Sequence, residues 1–179
     1  MISNKLWQER LQAELQRLTT TERPARLALI GIGHELCGDD AVGMRIAAML
    51  RPLLSHDERL LVVEAGPAPE NFTGVLRRFK PDLVLLMDSA LMAEKPGCVR
   101  WLNWQDAEGF SASTHTLPLE LFASYLISEL GCAIGLIGIQ PEQTFADAPL
   151  TPHVLAAAEN VVGVLINCLK PQNCSWSSN

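Results

Sequence analysis

The sequence predicts a three-layer α/β/α domain built on a five-stranded, mixed but mostly parallel sheet. Its 179 residues suit one domain of ordinary size. Hydrophobic residues make up 48% of the chain and charged residues 19%, which excludes an intrinsically disordered protein. Short apolar segments alternate with segments of helical periodicity, as in parallel α/β proteins. We expect a single domain over residues 25–170, preceded by a helical extension (1–24) and followed by a flexible tail (171–179).

The chain opens with a predicted helix over residues 3–19. Its apolar residues recur at nearly helical spacing and are Leu6, Trp7, Leu11, Leu15 and Leu18. The segment TTTERP at residues 19–24 ends the helix. We expect this helix to be an appendage to the fold, because the alternation of strands and helices begins only after it.

Three strands and two helices then alternate. The strands are continuous apolar segments, which is typical of strands that are buried on both faces of a parallel sheet. They are predicted at residues 27–33, 60–66 and 82–88, with helices at 40–54 and 69–80. In the first of these helices, the residues expected to face inward are Val42, Ile46, Met49 and Leu50.

The next predicted strand, residues 98–103, is expected to run opposite to the others. Only nine residues, 89–97, connect it to the preceding strand. A parallel crossover needs about a dozen residues or more, so this short connection predicts an antiparallel strand. A helix at 116–130, a fifth strand at 132–139 and a final helix at 152–169 complete the domain.

Charge, hydropathy and cysteine content indicate which partners and which cellular compartment to expect. The net charge is −6, and residues 86–179 hold 3 basic against 9 acidic side chains, which argues against nucleic-acid binding. No apolar run approaches the roughly 20 residues of a membrane span, and the N-terminus lacks the apolar core of a signal peptide. The five cysteines include no CxxC pair and favour a reducing compartment. We expect a cytoplasmic protein without membrane insertion.

In open α/β sheets, ligands bind outside the carboxyl ends of the strands, where the strand order reverses. The segment GIGHELCGDD (31–40) follows the first strand and partly matches the glycine fingerprint of dinucleotide-binding folds. Leu36 occupies the third glycine position, and the two aspartates at the start of the helix would repel a pyrophosphate. Glu64 lies 33 residues beyond the first glycine, whereas the ribose-binding acid is expected at about 20. A Rossmann-like nucleotide-binding protein is therefore disfavoured.

Four polar side chains are expected near this edge of the sheet: Asp39, Asp40, Asp88 and His115. Each has an ordinary structural explanation, since aspartates cap helices and turns, and loop histidines are commonly hydrogen-bonded. Two carboxylates and an imidazole that meet at one point also suit a divalent metal such as nickel or zinc. The protease motifs HExxH, GxSxG and DTG/DSG are absent, and two adjacent aspartates disfavour a Cys37 thiolate nucleophile.

Five short motifs occur in an order that is similar to one known family. They are GIGHELCGDDAVG (31–43), EAGPAPEN (64–71), LVLLMDSALM (83–92), STHTLPL (113–119) and IGIQPE (137–142). Over about residues 26–168, the chain resembles the NiFe-hydrogenase maturation endopeptidases. The resemblance is greatest to the branch that processes hydrogenase 3 of the formate hydrogenlyase system.

The resemblance implies a phosphorylase/hydrolase-like fold whose fourth strand is antiparallel, in agreement with the connection argument. It implies a protease that removes a C-terminal extension from the hydrogenase large-subunit precursor after nickel insertion. The family's nickel-binding positions fall on Asp40, Asp88 and His115, with Asp40 and Asp88 as the catalytic carboxylates of an aspartyl-type hydrolase.

His34 stands where many relatives have asparagine. The two remaining histidines match no family motif and are expected at the surface: His56 and His153.

Two mechanisms fit these residues. Nickel held by the three side chains can polarise the scissile carbonyl or its water. Alternatively, nickel is a recognition element that the precursor carries, and a carboxylate acts as the general base. We favour the second, because it explains why cleavage would wait for nickel. A nickel-dependent chaperone that holds the precursor without cleaving it is the alternative from another functional class.

Overall fold

A computed structural model describes residues 3–21, 23–106 and 118–169. Within these ranges five helices and five strands follow one another in the predicted order. They are α1 (Ser3–Leu18), β1 (Leu27–Ile32), α2 (Val42–Leu54), β2 (Leu60–Gly66), α3 (Thr73–Phe79), β3 (Leu83–Ser89), β4 (Val99–Leu102), α4 (Leu119–Leu130), β5 (Ala133–Ile139) and α5 (Pro152–Leu169). Short 3₁₀ turns at Gly38–Ala41 and Pro69–Phe72 lead into α2 and α3, where the sequence predicts continuous helices. The predicted tail, 171–179, lies outside the described residues.

The five strands form one sheet in the order β2-β1-β3-β5-β4. β2, β1, β3 and β5 are parallel to one another, whereas β4 is antiparallel to β5. The predicted orientation of the fourth strand is therefore confirmed. The short connection only has to cross the end of β5, which lies between β3 and β4. It is held there because Ala90 N–H donates to the Ile139 carbonyl at 2.8 Å and Gly97 N–H donates to the Gln140 carbonyl at 2.9 Å.

Two apolar cores cover the faces of the sheet. Alternate residues along each strand point to opposite faces, so Leu29 belongs to one core and Ile30 to the other. The first core contains the inward side chains of α1, α2 and α5, and the second contains those of α3 and α4. The predicted inward face of α2 is largely confirmed, since Val42, Ile46 and Leu50 are fully buried while Met49 is partly buried.

The N-terminal helix is part of the first core, so the expectation of an appendage is wrong. Trp7 is 1% exposed and Leu11 is fully buried. The helix packs against β4, the strand at the edge of the sheet. Covering an edge strand protects its unpaired backbone groups from pairing with another chain. The apolar stripe that predicts this helix therefore serves to bury it against the domain.

Close backbone packing fixes α2 against the sheet at the end where the site forms. A Cβ atom on Gly43 would lie 2.0 Å from the Met87 carbonyl oxygen and 2.4 Å from that of Ile32. Only glycine therefore allows the first turn of α2 to approach both β1 and β3 so closely. This contact brings the turn Gly38–Ala41 next to the carboxyl ends of the two strands.

One helix among the described residues, α5, has the length and composition of a membrane span. Its apolar face, however, includes Val154, Val161 and Leu165, which are fully buried in the first core. The helix therefore has the packing of a core helix in this domain.

Candidate functional site

The candidate site lies at the carboxyl edge of the sheet, between β1 and β3. β2 lies on one side of β1 and β3 on the other, and the helices that follow β1 and β2 pack on opposite faces. The strand order therefore reverses between β1 and β3. This is the position at which open α/β sheets form ligand crevices. The structure places both Asp40 and Asp88 there.

Asp40 is held by hydrogen bonds at both carboxylate oxygens. It stands in the 3₁₀ turn before α2 and is 2% exposed. Its Oδ2 accepts a hydrogen bond from the His34 N–H at 2.8 Å, and its Oδ1 accepts one from the Ser89 hydroxyl at 2.8 Å. These donors offset the cost of removing the carboxylate from water. The two bonds also fix the plane of the carboxylate.

Asp88 is the second-last residue of β3 and is also 2% exposed. Its Oδ1 accepts a hydrogen bond from the Ser89 N–H at 2.8 Å. Ser89 therefore contacts Asp88 through its backbone and Asp40 through its side chain. Ser89 thus links the two carboxylates that the sequence analysis selected, although 48 residues separate them in the chain.

Asp39 has different partners from its neighbour. It is fully buried, and its carboxylate accepts four hydrogen bonds from the loop that follows β5. The donors are the N–H groups of Glu142 (2.8 Å), Gln143 (3.1 Å) and Thr151 (2.7 Å), and the Thr151 hydroxyl (3.0 Å). Asp39 therefore anchors this loop.

The third predicted ligand, His115, lies outside the described residues, among 107–117. Within the described part of the chain, no three His, Cys, Asp or Glu side chains are grouped closely enough to hold a metal ion. The convergence of Asp40, Asp88 and His115 on nickel therefore stays a prediction.

The side chains of the remaining candidates have other contacts, although the backbone N–H of His34 donates to Asp40. Glu64, which imitates a ribose-binding acid in the sequence, forms an ion pair with Arg51 at 2.9 Å. His34 is exposed, and its Nδ1 accepts a hydrogen bond from the Leu36 N–H at 3.3 Å. His56 and His153 are exposed, as predicted.

Two polar residues at this edge were missed by the sequence reasoning. Ser89 is fully buried and links the two carboxylates. Gln140 holds the loop after β3, because its Oε1 accepts hydrogen bonds from the N–H groups of Met92 (2.7 Å) and Glu94 (3.3 Å). Both are polar residues at the end of an otherwise apolar strand, and this position was the available signal.

Comparisons with known proteins agree with this architecture. A family model described as hydrogenase maturation protease matches residues 44–168. A putative hydrogenase maturation protease of Methanocaldococcus jannaschii is 32% identical over 151 residues, which cover 81% of this chain and 89% of the relative. The hydrogenase 3 maturation protease of Escherichia coli K12 is 31% identical over 134 residues, covering 74% and 84% respectively.

Solved structures extend the similarity to the fold. The crystal structure of a NiFe-hydrogenase maturation protease from Thermococcus kodakarensis superposes with a TM-score of 0.75 and 32% identity, covering 82% of this chain and 93% of that one. The crystal structure of a hydrogenase 3 maturation protease gives a TM-score of 0.67 and 28% identity, with 78% and 88% coverage. The matched family model, the relatives above 30% identity and the shared fold agree with one another. The chain therefore belongs to the hydrogenase maturation protease family and is a peptide-bond hydrolase.

Proposed function

We propose that this protein removes the C-terminal extension of a NiFe-hydrogenase large-subunit precursor after nickel has been inserted. The observation that carries the proposal is the pair of buried carboxylates, Asp40 and Asp88, at the strand-order reversal of a maturation-protease fold. Both are joined to one residue, Ser89, which supports assigning them to a single site.

In this proposal nickel arrives with the precursor, and Asp40, Asp88 and His115 bind it. Two carboxylates and an imidazole form a donor set that suits nickel. Each Asp40 oxygen accepts one hydrogen bond from the described residues, and a carboxylate oxygen has two lone pairs. Asp40 therefore keeps an acceptor position on each oxygen for a cation, which supports its role as a ligand. Bound nickel would supply positive charge that polarises a nearby carbonyl or water.

Hydrolysis then requires a base for the attacking water and a proton for the leaving amine. We assign the base to a carboxylate of the pair, which takes a proton from water as the oxygen attacks the scissile carbonyl. The same proton passes to the amine when the C–N bond breaks, so the carboxylate is regenerated. Recognition of nickel places the scissile bond at this edge, which would make cleavage depend on a loaded precursor.

The test is to incubate the protein with the nickel-loaded precursor and to measure the precursor's mass. A shortened C-terminus supports the endopeptidase. An unchanged mass in a stable complex would instead indicate a chaperone and contradict the proposal. Asp40→Asn and Asp88→Asn keep side-chain size but remove ligand charge, so each should abolish cleavage while the circular dichroism spectrum stays unchanged.

A further inference from the structure

We infer that Ser89 is a positioning residue that holds the two site carboxylates in one fixed arrangement. The inference rests on the proposed function, since it assigns a role in that same site. Ser89 itself would not touch the substrate. It would act through Asp40, because its hydroxyl occupies one lone pair of the Asp40 carboxylate and so determines which lone pairs remain available to a ligand.

The backbone of Ser89 is fixed by the sheet. Ser89 is the last residue of β3, it pairs with Ile139 of β5, and it is fully buried. The next residue, Ala90, donates its N–H to the Ile139 carbonyl at 2.8 Å. The N–H of Ser89 reaches back to Asp88 Oδ1 at 2.8 Å. The position of the Ser89 backbone, from which its side chain extends, is therefore fixed by the same strand that carries Asp88.

The Ser89 hydroxyl then fixes Asp40. A carboxylate only accepts hydrogen bonds, so the 2.8 Å contact between Ser89 Oγ and Asp40 Oδ1 uses the hydroxyl proton. The His34 N–H occupies the other oxygen, Oδ2, at 2.8 Å. Rotation of the carboxylate would break both bonds. One lone-pair direction on each oxygen is thus left for a cation or a water, in an orientation that Ser89 sets relative to Asp88.

The chain offers a matched contact at the neighbouring aspartate. The Thr151 hydroxyl donates to Asp39 Oδ2 at 3.0 Å, and Thr151 is 8% exposed. This is the same kind of buried hydroxyl–carboxylate bond, but Asp39 receives all its other side-chain bonds from the loop after β5. Removing the Thr151 hydroxyl should therefore weaken the loop and leave the orientation of Asp40 unchanged.

The first experiment compares Ser89→Ala with Thr151→Val in cleavage of the nickel-loaded precursor. Mutation of a residue that hydrogen-bonds a metal ligand typically lowers metal affinity or activity by about 10- to 100-fold. We expect kcat to fall by about this factor in Ser89→Ala, with a smaller change in KM, because the precursor's other contacts remain. Thr151→Val should lower the midpoint of thermal unfolding but keep kcat within about twofold. An unchanged kcat in folded Ser89→Ala overturns the inference.

The second experiment does not depend on cleavage. Amide hydrogen exchange should accelerate about tenfold or more at the His34 N–H in Ser89→Ala, because the carboxylate that accepts this N–H is no longer fixed. In Thr151→Val the acceleration should instead fall on Glu142, Gln143 and Thr151. Unchanged His34 exchange in Ser89→Ala overturns the inference even if cleavage is slower. If the unmodified protein leaves the loaded precursor intact, the proposed function fails, and the exchange data alone decide whether Ser89 positions Asp40.

Discussion

At the residue scale, the two adjacent aspartates Asp39 and Asp40 have different hydrogen-bond partners. Successive residues of a 3₁₀ turn point about 120° apart, so neighbouring side chains face different surroundings. Asp39 faces the loop after β5 and accepts four hydrogen bonds from it. Asp40 faces the crevice between β1 and β3 and contacts Ser89 there. Asp39 therefore anchors the loop, whereas each Asp40 oxygen accepts a single hydrogen bond from the described residues.

We predict that Asp39→Asn destabilises the protein by about 2–3 kcal/mol in urea unfolding, more than the ~1 kcal/mol of a helix cap. The amide would place a donor against N–H groups that now donate to a carboxylate, and such bonds contribute about 1.5–3 kcal/mol each. Cleavage should persist below the unfolding transition. Asp40→Asn is the contrasting variant and should abolish cleavage. Full activity in Asp40→Asn with loss in folded Asp39→Asn would show that the site was assigned to the wrong carboxylate.

At the scale of secondary-structure elements, α1 is a structural part of the domain. The nearly helical spacing of its apolar residues predicts a helix with an apolar face but does not say which surface covers that face. The structure shows Trp7 and Leu11 inside the core beside the edge strand β4. Loss of this contact should therefore lower the free energy of unfolding of the whole domain.

Trp7→Ala should lower the free energy of unfolding by about 3–5 kcal/mol, because truncation of a buried aromatic side chain leaves a cavity. Leu6→Ala is the matched control, since Leu6 lies next to Trp7 but is 54% exposed. Its cost should stay within about 0.5 kcal/mol. Urea unfolding measures both. Equal small effects would indicate that α1 contributes little to the stability of the sheet.

The start of β1 is tied to the start of β3 by a second element-scale contact. Asp82 accepts hydrogen bonds from the Arg23 guanidinium at 2.7 and 2.8 Å and from the Arg26 N–H at 2.7 Å. The hydrogen bond from Arg23 is the main reason that the pKa of Asp82 lies below its usual 3.8. A lowered pKa in the folded state contributes stability above pH 3.8, and this contribution is lost as the pH falls through the folded-state pKa.

We therefore predict that Asp82→Asn lowers stability at pH 7 and that the difference from the unmodified protein shrinks below about pH 4. Thermal unfolding of the two proteins at pH 3 to 7 measures the difference. A stability difference that is constant over this range would contradict the assignment to Asp82 ionisation.

At the scale of the whole molecule, the sequence predicts the layers well and the site only in part. Connection length is enough to orient β4, and apolar periodicity is enough to place the strands. The link from Ser89 to Asp40 spans 49 residues, and one serine at the end of an apolar strand carries no periodic signal. It forms only because Gly43 lets the first turn of α2 approach β3. Such tertiary contacts depend on the assembled fold, so sequence spacing does not reveal them.

The final prediction concerns specificity, which belongs to the whole molecule. Asp40 and Asp88 are each 2% exposed, and the chain lacks the protease motifs HExxH, GxSxG and DTG/DSG. An unfolded polypeptide such as casein would bring no nickel to this edge, so we expect neither casein nor the nickel-free precursor to be cleaved. Mass spectrometry after incubation with casein, nickel-free precursor and nickel-loaded precursor measures all three. Only the loaded precursor should be shortened, and removal of its nickel should restore resistance. Efficient cleavage of casein or of the nickel-free precursor would rule out recognition through the metal.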